Sequence, residues 1–147
     1  NSKDIKSLGP EALEISFEDF KKRIKSSKKE IKKVLMDQTK IAGIGNIYSD
    51  EILFSAKVHP KKKASDLSEK ELKKIYLSMK KILKKAIELQ GESISDYRTP
   101  SGEKGKFDKV RKVYRREGEK CSRCGGKIER IKIGGRSAHF CPSCQKL

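Results

Sequence analysis

The last part of the chain carries Cys121-x-x-Cys124, sixteen further residues, and then Cys141-x-x-Cys144. Two C-x₂-C knuckles at this separation suit one tetrahedral zinc ion. Two thiolates on a tight turn grip the ion from one side, and a second pair completes the shell. The residues between the knuckles then form a hairpin. Gly125-Gly126 frees the turn behind the first knuckle at positive φ, and Pro142 stiffens the second. Two disulfides are the alternative. Pairing as knuckles, with no secretory apolar stretch ahead of them, speaks against it and for a reducing, cytoplasmic compartment. Four thiolates close the coordination shell, so the single zinc ion is expected to be structural; a catalytic zinc keeps one position open for water. His139 then has nothing to ligate and is read as a strand residue.

The charge balance narrows the partners. Of 147 residues, 37 are Lys or Arg and 20 are Asp or Glu, a net charge of +17. Such an excess implies a polyanion, nucleic acid first and an anionic membrane surface second. Solvated lysine-rich helix faces account for part of it. No apolar run approaches the ~20 residues of a transmembrane span.

The fold class expected is α+β, mainly α. Residues 1–15 read as a polar linker containing Gly9-Pro10. Ser16 can cap a first helix with Phe17, Phe20 and Ile24 on one side. A second helix has Ile31, Val34 and Leu35 inward and Lys28, Lys29, Lys32 and Lys33 outward. Gly43-Ile44-Gly45 makes a compact turn, and Asn46 suits the N-cap of the helix that follows. A glycine turn opening into a helix N-terminus favours phosphate, with Lys40 just ahead of it; an ordinary helix–turn–helix corner is the other reading. Ser68-x-x-Glu71 is a capping box. The long helix behind it places Leu72, Ile75, Tyr76, Met79, Ile82, Leu83, Ala86 and Ile87 on one face and lysines on the other, with Gly91 as its stop.

Residues 93–109 are poor in apolar side chains. Composition alone makes them a linker between a helical part (16–92) and a zinc part (110–147). Val110–Tyr114 alternates like a strand leading into the zinc unit. Lys127–Ile133 and Arg136–Phe140 read as hairpin strands turned by Gly134-Gly135. Arg136 stands at that turn, where a rigid guanidinium fork suits phosphate, although an exposed arginine needs no such role.

Taken in order, the segments Leu8-Gly9-Pro10-Glu11-Ala12-Leu13, Leu35-Met36-Asp37-Gln38, Ile41–Glu51, His59-Pro60, Gly91-Glu92-Ser93 and Gly135–Gln145 resemble the C-terminal half of the formamidopyrimidine-DNA glycosylase / endonuclease VIII family. The resemblance spans nearly the whole chain. It implies a helix-two-turn-helix domain followed by a zinc hairpin, both gripping double-stranded DNA around a flipped, damaged or abasic nucleotide. By analogy Asn46 and the Gly43–Gly45 backbone hold phosphate from the helices. Arg136 holds it from the hairpin, and Tyr114 assists. The segment holding Tyr97, Arg98, Thr99, Gly102, Gly105 and Phe107 corresponds to the loop that closes over an extruded oxidised purine. Arg115 stands where the family has glycine, which puts the local backbone at Tyr114 in question.

In the family a preceding domain supplies a proline amine as nucleophile, with a glutamate beside it. Residues 1–147 include no segment that resembles that domain. The expectation is a chain that binds DNA without cleaving it, with no catalytic residue of its own. It is expected to act as a monomer in the bacterial nucleoid, and to be either a fragment of a longer protein or one half of a split gene whose other half, a separate chain, supplies the catalytic domain. The alternatives are a stand-alone nucleic-acid-binding or protein-interaction zinc module, or the endonuclease VIII branch acting on oxidised pyrimidines.

Overall fold

Ser16 and Ser68 start helices for the same reason: each hydroxyl accepts a backbone N–H that the first turn leaves without a partner. Ser16 Oγ accepts from Asp19 N at 3.2 Å and opens α1, Phe17–Lys25. Ser68 Oγ accepts from Glu71 N at 3.1 Å while Glu71 Oε1 accepts from Ser68 N at 2.9 Å, so the capping box is complete. The computed structural model describes residues 9–92 and 110–147. Among these residues α1 is followed by α2 (Ile31–Leu35), α3 (Asn46–Ala56), a 3₁₀ turn (Ala64–Asp66), α4 (Glu69–Glu92), and the strands β1 (Glu129–Ile133) and β2 (Arg136–Phe140). The capping-loop residues Tyr97, Arg98, Thr99, Gly102, Gly105 and Phe107 lie outside the described residues. No helix among the described residues is long and apolar enough to cross a membrane.

The helical core is built as the periodicity predicts. Phe20 and Ile24 of α1, Ile31, Val34 and Leu35 of α2, and Leu72, Ile75, Met79 and Leu83 of α4 form one buried cluster. Tyr76 packs beside it, and its hydroxyl donates to Ile15 O at 2.8 Å. The segment read as linker contributes too. Ala12 and Ile15 enter the core, and Ala12 N donates to Ala42 O at 3.0 Å. Gly9 permits this approach, because a Cβ there would stand 2.5 Å from the Lys40 backbone.

Four expectations are corrected. Lys32 does not face water; it is 1% exposed, with its ammonium held by α3. Ile87 is 54% exposed, so the apolar stripe of α4 ends at Ala86. Gly91 does not stop α4, which runs on to Glu92; glycine weakens a helix by about 1 kcal/mol and need not end one. Residues 110–114 form no strand. The backbone N–H groups of Lys112, Val113 and Tyr114 are taken by the Glu51 side chain instead of a neighbouring strand.

The zinc part is a two-stranded antiparallel hairpin in the register Glu129↔Phe140 to Ile133↔Arg136, turned by Gly134 and Gly135 at positive φ. Its small core contains Val113, Cys121, Ile128 and Cys141, closed by Phe54 of α3. α3 therefore belongs to both cores, with Ile52 and Leu53 in the first and Phe54 in the second.

Candidate nucleic-acid interface and metal centre

The four cysteine Sγ atoms lie within 4.8 Å of one another. Cys121 Sγ is 3.8 Å from Cys144 Sγ, and Cys124 Sγ is 3.5 Å from Cys141 Sγ. A tetrahedral zinc with Zn–S bonds of about 2.3 Å requires S···S edges of about 3.8 Å, so the cluster fits one ion. The thiolates are also supported from outside. Arg123 N donates to Cys121 Sγ and Gly126 N to Cys124 Sγ, each at 3.4 Å, and Arg123 Nε donates to Cys144 Sγ at 3.4 Å. The same guanidinium donates to Phe54 O at 2.7 Å and stacks 3.9 Å above the Phe54 ring, fastening the first knuckle to the end of α3. His139 lies in β2, apart from the sulfur cluster.

The turn before α3 is pinned by Gln38. Its amide donates to Ile44 O at 3.0 Å, and its Oε1 accepts from Gly43 N at 2.9 Å. The Gly43 N–H is thus already occupied. The cap position falls on Gly45, whose carbonyl accepts from Ser49 N at 2.9 Å, and Asn46 is the first helical residue instead of the cap. Among the described residues the N–H groups of Gly45 and Asn46 have no acceptor, and Asn46 Oδ1 is buried without a hydrogen bond. A Cβ on Gly45 would meet nothing within 4 Å. Internal packing therefore does not demand glycine at 45; its effect is to leave the positive end of α3 bare.

Asn46, Tyr114 and Arg136 line one hollow of about 500 Å³, together with Arg115, Arg130, Ser137, Glu117 and His139. Residues 90 positions apart in sequence thus converge on one surface. Lys40 is not among them. Its ammonium donates to Ser26 Oγ at 3.1 Å in a neighbouring hollow.

Two consecutive carboxylates of α3, which sequence reasoning missed, set this convergence. Asp50 Oδ1 accepts from Lys32 Nζ at 2.5 Å. Its Oδ2 accepts from His139 N at 3.0 Å and lies 2.8 Å from His139 Nδ1. An ionised carboxylate can only accept, so the ring carries its proton on Nδ1. Lys32 Nζ also donates to Ser49 Oγ at 2.9 Å. Burial pushes the Lys32 amine below its ordinary value, against the pull of the Asp50 carboxylate. Glu51 accepts from the backbone N–H groups of Lys112 (2.7 Å), Val113 (2.9 Å) and Tyr114 (2.9 Å). Burial raises its carboxyl above the usual range, and these three donors oppose the shift. One carboxylate thus holds the strand bearing Arg136, and the next holds the segment bearing Tyr114.

Arg115 has φ +56°, the left-handed conformation that glycine adopts freely. The backbone shape at Tyr114 is therefore the one glycine would give, kept by a residue that pays steric strain for it. Replacing Arg115 by glycine is expected to raise stability by up to about 1 kcal/mol, the relief of strain exceeding the added chain entropy. Urea denaturation measures this, and a clear loss of stability contradicts it.

Comparison with known proteins agrees with this architecture. Residues 8–98 match the model of the formamidopyrimidine-DNA glycosylase H2TH domain, and residues 118–147 match the model of a zinc finger found in FPG and IleRS. The formamidopyrimidine-DNA glycosylase of Listeria innocua is 46% identical over 99% of this chain, which covers 54% of that protein. That of Lactococcus lactis is 45% identical over 96% of the chain and 52% of its own length. The solved complex of Lactococcus lactis Fpg with DNA containing an abasic site superposes with a TM-score of 0.87 at 43% identity, over 99% of this chain and 54% of that one. A mutant of the same enzyme bound to Fapy-dG-containing DNA also gives 0.87.

The fold and the metal centre together define a helix-two-turn-helix and zinc-finger protein of the DNA-glycosylase type. The chain belongs to the formamidopyrimidine-DNA glycosylase family, and it spans about half the length of the curated relatives it matches.

Proposed function

We propose that this chain clamps the backbone of double-stranded DNA around a damaged or abasic nucleotide, as the DNA-gripping part of a base-excision-repair glycosylase. One observation carries the reading: Asn46, Tyr114 and Arg136 converge on a single hollow beside the bare N-terminus of α3. N–H groups without acceptors, the positive end of a helix and a guanidinium fork together suit phosphate oxygens. The relatives solved with abasic-site and Fapy-dG-containing DNA support this ligand class. They also favour oxidised purines over pyrimidines as the lesions served. The chain acts as a monomer in the bacterial nucleoid. The reading gives it grip and assigns no chemical step to any residue of the hollow; bond cleavage belongs to the family's N-terminal amine.

The test is fluorescence anisotropy with a labelled duplex carrying an abasic analogue, against the same duplex intact, across a salt series. Steep salt dependence is expected, because each phosphate contact releases counterions. Arg136→Ala should weaken binding roughly tenfold or more, the loss of a hydrogen bond to a charged group, while circular dichroism stays unchanged because the side chain is exposed. Unchanged affinity removes Arg136 from the clamp. Binding that ignores salt favours a protein-interaction module instead.

A further inference from the structure

The lysines are not used evenly. Lys21 and Lys62 are paired with Glu69 and Glu71, and Lys32 is buried against Asp50. Lys28, Lys29, Lys33 and Lys40 instead line one hollow of about 610 Å³ with Ser26, Ser27, Val34 and a single carboxylate, Asp37. Among the described residues none of these four is in an ion pair, and Asp37 is occupied with Thr39, whose N–H and hydroxyl it accepts at 3.0 and 2.6 Å. Four ammonium groups and one engaged carboxylate share a concave surface, an arrangement that repels itself unless an anion enters.

This hollow is joined to the one at Arg136. A small intervening depression of about 190 Å³ is lined by Lys33, Met36, Gly134 and Arg136, so it shares Lys33 with one neighbour and Arg136 with the other. Lys33 lies directly against the hairpin turn: a Cβ on Gly134 would stand 2.7 Å from Lys33 Cε. The positive surface therefore runs without a break from Asn46 and Arg136, over the hairpin tip, to the α1–α2 corner and Lys40.

We propose that the Lys28–Lys29–Lys33–Lys40 hollow takes further phosphates of the same DNA that the Asn46–Tyr114–Arg136 hollow grips, so that the protein's footprint continues past the clamp along the backbone. The inference rests on the DNA-binding reading above. It adds a second, sequence-independent contact surface in which Lys33 bridges the two. Lysine suits this duty, since a flexible point charge follows a backbone without requiring one fixed geometry.

The test combines Lys29→Gln, Lys33→Gln and Lys40→Gln in the full chain and compares it with a charge-matched control. The control combines Lys74→Gln, Lys81→Gln and Lys85→Gln, exposed residues of α4 that line none of the three hollows. Binding to a long intact duplex is measured across a salt series. The first variant is expected to reduce the slope of log K against log salt by about 2 to 3, at about 0.9 per lost phosphate contact. The control should keep a slope near that of the parent chain. On a duplex trimmed to the clamp alone, the two variants should bind alike. Equal losses in both variants on the long duplex make the effect one of net charge and overturn the proposal. So does an unchanged slope in the first variant while Arg136→Ala still weakens binding. If the parent chain binds neither duplex, the DNA-binding reading itself falls, and the extended footprint with it.

Discussion

Replacing Cys141 by serine is expected to take the metal content from one zinc per chain to none, and to unfold the hairpin while the helices persist. Cys141 is fully buried and shares a small core with Phe54, Val113, Cys121 and Ile128. That core is too small to hold two short strands together alone, since an isolated two-stranded hairpin is marginal in water. Metal binding supplies the difference; structural zinc in finger peptides binds with about 10–16 kcal/mol near neutral pH. Among the described residues the helical core contains none beyond Leu83, so it does not draw its apolar packing from the hairpin. Metal analysis together with far-UV circular dichroism separates the outcomes. One zinc retained per chain would falsify the ligand assignment. Loss of the helices along with the hairpin would mean that α3 requires its second core.

The second large effect is expected at Asp50. Asp50→Ala should destabilise the chain by about 3–5 kcal/mol, the range for breaking a buried ion pair and leaving one charge unmatched. Asp50 and Lys32 are each 1% exposed, so water cannot replace the lost partner. The substitution also removes the acceptor for His139 N and the partner of its ring. A double variant, Lys32→Met with Asp50→Leu, should recover the part of the loss due to the unmatched Lys32 charge and not the part due to His139, whose buried N–H groups still lack their acceptor. Chemical denaturation measures both. A loss below about 1 kcal/mol for Asp50→Ala would show that the pair contributes no net stability.

Parts of this architecture could be read directly from residue order. The capping box at Ser68 and Glu71, the cysteine knuckles and the Gly134-Gly135 turn each encode a local rule, and each is found where the rule puts it. The misses that matter most for the site share one cause. Lys32, Asp50 and Glu51 are charged residues, and charge in a helix is read by default as a solvated face. Their burial is decided by partners that arrive from far along the chain: Lys32 and His139 for Asp50, and the backbone of residues 112–114 for Glu51. No periodicity marks such pairings. One signal did exist: Ser49, Asp50 and Glu51 put three polar residues together before Ile52-Leu53-Phe54, in a helix with no clear wet face. A helix buried nearly all round must match its polar groups with partners. The apparent strand at 110–114 failed for a related reason. Val113 alone turns inward, and the N–H groups that a strand would offer a neighbour are spent on Glu51.

Glu51's grip on three successive N–H groups has a consequence for how such proteins can vary. The hairpin is held to α3 through Glu51, Asp50 and the Phe54–Arg123 stack. The gap between Asn46 and Arg136 is thereby fixed by contacts that one helix makes to both sides of the hollow. A change that shifts α3 therefore moves both walls of the hollow together and leaves its width as it was.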